Sequence, residues 1–287
     1  MLTPRAGKRA TVRLGTAVAG AFCALITPTR SAHADARIES TSCCPIVELR
    51  QYTLHPGRLD GFVQLFEQEF IEPQEAAGMR VIGQFRDLDD PDRFVWLRGF
   101  SDMPGRARAL EAFYGGPVWK ARRELANANF IDTDNVLLLH PQDARSGFAL
   151  DRLQRAPTGA APAERGVVVV TVYTLKPSSA AAFGAYFRDA MLPVLVRAGF
   201  VAVAQLETET AANTFPRLPV RSGEFVFVWV ARFPDRASSD AAQMRLADSA
   251  QWRDTIASEL NLRLAGGTQV LRLAPTARAL WPGGAGQ

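Results

Sequence analysis

The chain is poor in the residues from which reactive and metal centres are built. Its 287 residues include three cysteines and three histidines. Cys43 and Cys44 are adjacent, and adjacent cysteines seldom bridge because the geometry is strained. Cys23 and His33 lie near the N-terminus, and His55 and His140 stand far apart, so no ligand spacing can be read and no metal is expected. There is no Gly-x-Ser-x-Gly elbow, no Gly-x-x-x-x-Gly-Lys loop and no Gly-x-Gly-x-x-Gly loop. These absences speak against the serine-hydrolase and nucleotide-binding classes, and no cofactor is expected.

Surplus charge is missing as well. The formal charge of +4 resides in residues 1–36, where Arg5, Lys8, Arg9, Arg13 and Arg30 face only Asp35. The rest of the chain balances, so nucleic acid is not an expected partner; phosphate backbones need a surplus of Lys and Arg. Within the same segment, basic residues up to Arg13 precede the apolar run Leu14 to Ile26, and the small-x-small sites Ala32-His33-Ala34 and Ala34-Asp35-Ala36 follow. That order is the pattern of a secretory leader. The expectation is a signal peptide over 1–36 and a periplasmic or secreted product, with a cytoplasmic protein as the alternative. The run is shorter than the ~20 residues a membrane span needs, so no transmembrane segment is expected in the mature chain.

What the chain does have is an internal repeat. Tyr52-Thr53-Leu54 with Pro56 returns as Tyr173-Thr174-Leu175 with Pro177, and Phe62, Phe66 and Gly78 return at the same offset as Phe183, Phe187 and Gly199. Val95-Trp96, Phe100 and Trp119 return as Val228-Trp229, Phe233 and Trp252 at a longer offset, so one insertion separates Gly199 from Trp229. One small fold is used twice.

Each copy reads as β-α-β-β-α-β. In the first, strands are expected over 46–55, 79–85, 93–100 and 135–139. The three-and-four spacing of Leu59, Phe62, Val63, Phe66 and Phe70 marks a helix. Ala107, Leu110, Phe113 and Tyr114 suit another, broken by Gly115-Gly116-Pro117 before a third stretch. The second copy repeats the order, with a long Pro-rich loop around Pro216 and Pro219 in its central hairpin. This is the ferredoxin-like pattern. The strand Phe225 to Ala231 is apolar at every position, which argues for burial on both faces. The expected fold class is therefore α+β: two tandem ferredoxin-like repeats packed sheet to sheet as an intramolecular barrel. The expected layout is a leader over 1–36, repeats over 45–140 and 166–274, a linker over 141–165 and a tail over 275–287.

The segments Val47 to Gly57, Gly78 to Phe85, Arg93 to Phe100 and Phe113 to Trp119 together resemble the NIPSNAP family of the dimeric α+β-barrel superfamily. The insert Phe215-Pro-Arg-Leu-Pro-Val-Arg221 resembles that of two-repeat bacterial members. The resemblance covers roughly residues 45–274 and implies the barrel. It implies little about activity, because the wider superfamily includes monooxygenases of quinols and polyketides, haem-degrading enzymes and stress-response barrels.

The two copies differ in polarity at matched positions. Glu48, Arg50 and Tyr52 alternate along one strand face, and their counterparts are Val169, Thr171 and Tyr173; Arg98 is matched by Ala231. Buried arginine is costly unless paired. One reading is a first-half pocket for a small organic ligand. There Arg50 and Arg98 are donors, Tyr52 and Trp96 walls, Gln84 and Tyr114 further lining, and Arg217 and Arg221 a lid from the insert. The other is an ion pair of Arg50 or Arg98 with Glu48 at the barrel seam. Tyr52 and Tyr173 recur in both halves, which favours a core role, and Trp119 and Trp252 suit helix anchors. The functional expectation is a NIPSNAP-type protein that binds a small molecule, as monomer or homo-oligomer. The alternatives are a cofactor-independent monooxygenase of a hydroquinone-like aromatic and a scaffold module without ligand; whether the protein is an enzyme stays open.

The leader makes the first testable statement. Intact-mass measurement of the native protein is expected to show cleavage near Ala34 or Ala36 in an exported fraction; a full-length mass in the cytoplasm would refute it.

Overall fold

The structure, a computed structural model, describes residues 43–161 and 166–281; the leader-like segment 1–36 lies outside them. The first copy runs β1 (Ile46–Leu54), α1 (Leu59–Leu65), α2 (Ile71–Ala76), β2 (Arg80–Asp87), β3 (Arg93–Phe100), α3 (Met103–Tyr114), α4 (Pro117–Asn127) and β4 (Phe130–Pro141). The second runs β5 (Val167–Leu175), α5 (Pro177–Tyr186), α6 (Leu192–Ala198), β6 (Val201–Thr208), β7 (Phe225–Phe233), α7 (Arg236–Asp248), α8 (Ala257–Arg263) and β8 (Leu264–Pro275). Local chemistry sets the boundaries. Asp102 and Asp235 cap α3 and α7 by accepting from Gly105 N and Ser238 N. Pro117 starts α4, where a missing N–H costs nothing. Gly78 and Gly199 take positive φ of 98° and 102° at the helix exits, a conformation glycine adopts without strain. A π-helical turn joins α1 to α2 at Phe66–Phe70, and another joins α5 to α6 at the matched Phe187–Met191.

Each copy forms a sheet in the order β4-β1-β3-β2 or β8-β5-β7-β6. The two sheets join through β2–β8 and β4–β6 into one closed barrel in which every strand pair is antiparallel. The expected sheet-to-sheet packing of two ferredoxin-like halves is therefore realised as a continuous eight-stranded barrel. Closure leaves no sheet edge. It also gives every strand two distinct faces. Val47, Leu49, Val95, Leu97, Val168, Val170, Val228, Val230 and Leu271 point inward and fill the barrel with aliphatic side chains. The alternate residues point outward, under the helices. Glu48, Arg50, Tyr52, Trp96 and Arg98 thus face α1 to α4, and Val169, Thr171, Tyr173, Trp229 and Ala231 face α5 to α8.

Register shifts between Val81 and Gly83 in β2 and between Ala202 and Ala204 in β6 sit at matched places. A bulge reverses the alternation beyond it. It sends Phe85 into the barrel and Gln84 outward, where Gln84 donates from Nε2 to Glu67 Oε1 at 3.2 Å.

The segments at the barrel ends are packed. In the linker, Phe148 and Leu150 are buried in the barrel core, and Ser146 O accepts from Gln205 N at 2.7 Å. In the C-terminal segment, Thr276 Oγ1 and Arg278 N both donate to Glu67 Oε1, at 2.6 and 2.8 Å. The Trp281 ring lies 5.5 Å from Phe85 and 6.4 Å from Phe148. Cys43 and Cys44 form a disulfide, contrary to the expectation from their adjacency. Among the described residues no helix is long and apolar enough to cross a membrane, and no group of His, Cys, Asp and Glu is arranged to hold a metal ion.

Trp281 closes the barrel core although it lies beyond the last strand. Trp281→Ala is expected to cost about 3–5 kcal/mol by the cavity it opens, measured as a lower chemical-denaturation midpoint. A midpoint unchanged from wild type would show that the segment contributes nothing to the core.

Candidate functional site

Cross-strand register builds the first-half cluster. Glu48 lies opposite Arg98 and Arg50 opposite Trp96 on β1 and β3, so their outward side chains meet beneath the helices. Arg50 donates from Nη1 to Glu48 Oε2 at 2.7 Å, and Arg98 donates from Nε to the same oxygen at 2.8 Å. A third arginine arrives from α3: Arg106 donates from Nε to Glu48 Oε1 at 2.7 Å, and its Nη2 lies 2.6 Å from that oxygen. All four side chains are 0–1% exposed. Burial on its own would raise the Glu48 pKa. Arg98, Arg50 and Arg106 outweigh it and hold the carboxyl well below its ordinary 4.5. Burial pushes the Tyr52 hydroxyl up against the pull of Arg50, so it stays a phenol and accepts from Arg50 Nε at 2.8 Å.

Glu48 is the one carboxylate paired with these three guanidiniums among the described residues, which leaves two positive charges in excess. Neutral acceptors take part of the remaining donor capacity. Gln74 Oε1 accepts from Arg98 Nη1 at 3.1 Å, and Asn213 Oδ1 and Thr214 Oγ1 accept from Arg106 Nη1 at 2.9 and 3.3 Å. Arg98 Nη2 and Trp96 Nε1 are buried without a hydrogen-bond partner.

Of the residues singled out in the sequence, Arg50, Tyr52, Trp96, Arg98 and Tyr114 come together here. The Arg98 guanidinium carbon sits 4.9 Å from the Trp96 ring and 6.0 Å from the Tyr114 ring. Gln84 lies apart, bound to Glu67. Arg217 and Arg221 also lie apart, paired with Glu111 and Glu224. The insert between β6 and β7 crosses onto the first half, where Arg217 meets Glu111 of α3 and Arg221 donates from Nη1 to Asn135 Oδ1 of β4 at 3.2 Å, both away from the arginine cluster. Phe215 stacks on Tyr114 at 5.9 Å, and Leu218 and Val220 join that half's core. Sequence reasoning missed Arg106. The signal was available: Met103, Arg106, Leu110 and Phe113 share one helical stripe, and an arginine on an apolar stripe needs a buried counter-charge.

Two cavities compare the halves directly. In the first, arginines and phenylalanines fill the layer between sheet and helices and leave a cavity of about 40 Å³ bordered by Tyr52, Gln74, Trp96 and Tyr114. In the second, Val169, Thr171 and Ala231 stand where Glu48, Arg50 and Arg98 stand in the first. The same layer there holds a cavity of about 280 Å³, lined by Val169, Thr171, Tyr173, Trp229, Gln243 and Trp252 among others. Thr171 lies opposite Trp229 in the ladder, as Arg50 lies opposite Trp96. Trp229 Nε1 is buried without a hydrogen-bond partner. Burial pushes the Tyr173 hydroxyl up, so it remains protonated. The covers differ too. The insert covers the first half, whereas the turn between β2 and β3, Leu88–Asp92, contributes Leu88 to the second half's core and no residue to its cavity. A larger groove of about 910 Å³ follows the β2–β8 seam past Glu67 and Arg86.

The NIPSNAP family model matches residues 47–143. A solved NIPSNAP-like domain protein from Burkholderia xenovorans is 31% identical over 34% of this chain and 85% of its own, with a TM-score of 0.32. A Fusobacterium nucleatum protein named provisionally as a monooxygenase is 12% identical over 84% of this chain and 96% of its own, with a TM-score of 0.52. An anthrone oxidase-like protein is 16% identical over 84% of this chain and 96% of its own, with a TM-score of 0.50. No curated protein matches. The last two structures agree with the barrel fold.

The cluster predicts an acid-sensitive core. A carboxyl whose pKa is depressed on folding binds fewer protons folded than unfolded. Its stabilisation is therefore complete above its ordinary 4.5 and is lost as pH falls below that value. At neutral pH, Glu48→Gln is expected to cost about 3–5 kcal/mol, since it leaves buried guanidiniums without their counter-charge. On acidification the wild type should lose stability faster than the variant, so the gap between their urea midpoints narrows. Parallel pH profiles would contradict the role given to Glu48.

Proposed function

Because the chain belongs to the NIPSNAP family, we propose that it is a small-molecule-binding member of that family whose ligand enters the second-half cavity. The observation that carries this reading is the asymmetry of the repeat. The positions that fill the first half with Glu48, Arg50 and Arg98 are Val169, Thr171 and Ala231 in the second, and the first two of these line the 280 Å³ cavity. That volume stands at the lower end of small-molecule sites, roughly 300 Å³ upward. Its walls are apolar and aromatic with few polar groups. Trp229 Nε1 is a buried donor that makes no full hydrogen bond, and the Tyr173 hydroxyl beside it is a second donor. A planar aromatic guest carrying one carbonyl or hydroxyl oxygen matches this lining: the ring meets Trp229 and Trp252, and the oxygen accepts from Trp229.

The lining supplies no group ionised at neutral pH that could act as a base, which supports binding over acid–base catalysis. The oxygenation named for two fold neighbours belongs to those proteins, since 12% and 16% identity carry the fold alone. Export remains part of the proposal. It is supported by the leader-like residues 1–36.

Small molecules co-purifying with the native protein, identified by mass spectrometry, supply the ligand. Its affinity is then followed by tryptophan fluorescence. Trp229→Phe removes a neutral hydrogen bond and is expected to weaken binding about 2- to 10-fold. Thr171→Phe fills the cavity and should abolish binding while the protein stays folded. Binding that survives Thr171→Phe would place the ligand elsewhere. Oxygen uptake with the same guest distinguishes turnover from binding.

A further inference from the structure

We propose that the cavity beside the arginine cluster in the first half is a binding site for a compact monovalent anion of halide size. It is a different site from the organic-ligand cavity, in the other half of the barrel, and stands or falls separately.

Three observations lead there. The first is charge. Arg50, Arg98 and Arg106 share one carboxylate, Glu48, and all four side chains are 0–1% exposed. Two uncompensated positive charges in a buried layer are expensive unless a counter-ion comes in. The neutral acceptors around the cluster supply hydrogen bonds but no negative charge.

The second is unused donors. Trp96 Nε1 belongs to a cavity-lining residue, is buried and has no partner; Arg98 Nη2 is buried and has none either. Buried donors of this kind are nearly always satisfied, so an orphaned donor on a residue that borders an empty volume, with a second on Arg98 behind that wall, points to a missing acceptor. The walls connect that volume to the charge. Tyr52 accepts from Arg50, Gln74 accepts from Arg98, and the Trp96 ring lies 4.9 Å from the Arg98 guanidinium carbon and 5.7 Å from that of Arg50.

The third is size. The cavity measures about 40 Å³. A single water needs roughly 10–15 Å³ on this kind of measure, so there is room for a guest of a few atoms and none for an aromatic ring. The remaining walls are phenylalanines with Trp119 and Ala126, a mainly apolar lining that favours a weakly hydrated guest. Chloride and bromide suit such a site better than fluoride, which holds its water more tightly. The second half is an internal control. Its matched positions Val169, Thr171 and Ala231 carry no charge, and its larger cavity has no reason to take an anion.

The test uses the full chain and bromide as probe. Crystals grown in sodium bromide are expected to show an anomalous peak in this cavity within hydrogen-bonding reach of Trp96 Nε1. At constant ionic strength, replacing sodium gluconate with sodium bromide should raise the melting temperature saturably, by roughly a few degrees, as binding to the folded state requires. Trp96→Phe keeps an aromatic ring in the wall but removes the donor, and should move the half-saturating bromide concentration up about 10-fold. Should that variant fail to fold, the wild-type peak and titration decide. Bromide found only on the surface (an adventitious ion only) would overturn the proposal. So would a melting temperature that ignores the identity of the anion, or a titration unchanged by Trp96→Phe.

Discussion

Closure of the two half sheets into one barrel is the constraint on which the rest depends. Once β2 joins β8 and β4 joins β6, no strand has a solvent edge and the central strands have no solvent face. One face enters the barrel and the other lies under helices. A side chain on such a strand can escape water in either direction but cannot reach it. The inner face is answered mainly by valine and leucine, with Phe85 the one aromatic among the described strand residues. The outer face is where the halves were free to differ, because helices and loops can adjust around it in a way that the filled barrel cannot.

They differ in opposite senses. The first half uses its outer face for charge. One glutamate collects three arginines, two from the barrel and one from α3, and the insert of the second half lays Asn213, Thr214 and Phe215 over them. The second half uses short, uncharged residues at the same positions and keeps open space. The tryptophans are common to both: Trp96 and Trp229 each end with an unpartnered indole nitrogen. A shared scaffold that places a buried donor twice, once beside charge and once beside an apolar cavity, offers two sites of different chemistry from one repeat.

Much of this was legible in the sequence, for physical reasons. The repeated Tyr-Thr-Leu-x-Pro runs, the paired tryptophans and the unbroken apolar strand Phe225 to Ala231 report periodicity and burial, which depend on neighbours along the chain. The contrast between Arg50 and Thr171, and between Arg98 and Ala231, could be read once the repeat was aligned, and it marked where the halves diverge. Gln84 could not be placed, because the bulge before it reverses which residues face the barrel, and a bulge leaves little trace in a pattern of period two. Arg217 and Arg221 were drawn in by their charge; they meet the first half at Glu111 and Asn135, but the insert covers the arginine cluster with Asn213, Thr214 and Phe215 instead.

The sequence by itself determined the duplicated β-α-β-β-α-β order and the barrel it implies, because alternation and helical spacing are local signals that two copies reinforce. Only the tertiary structure decided where there is room. Whether an outer face becomes a cavity or a packed ion cluster turns on how side-chain volumes from β1, β3, α3 and a loop far along the chain fill one layer. Arg106 meets Glu48 across 58 positions of sequence, and the insert meets Arg106 from still further away. Volume and charge at such a meeting point are sums over segments that touch only after folding, and no single segment carries them.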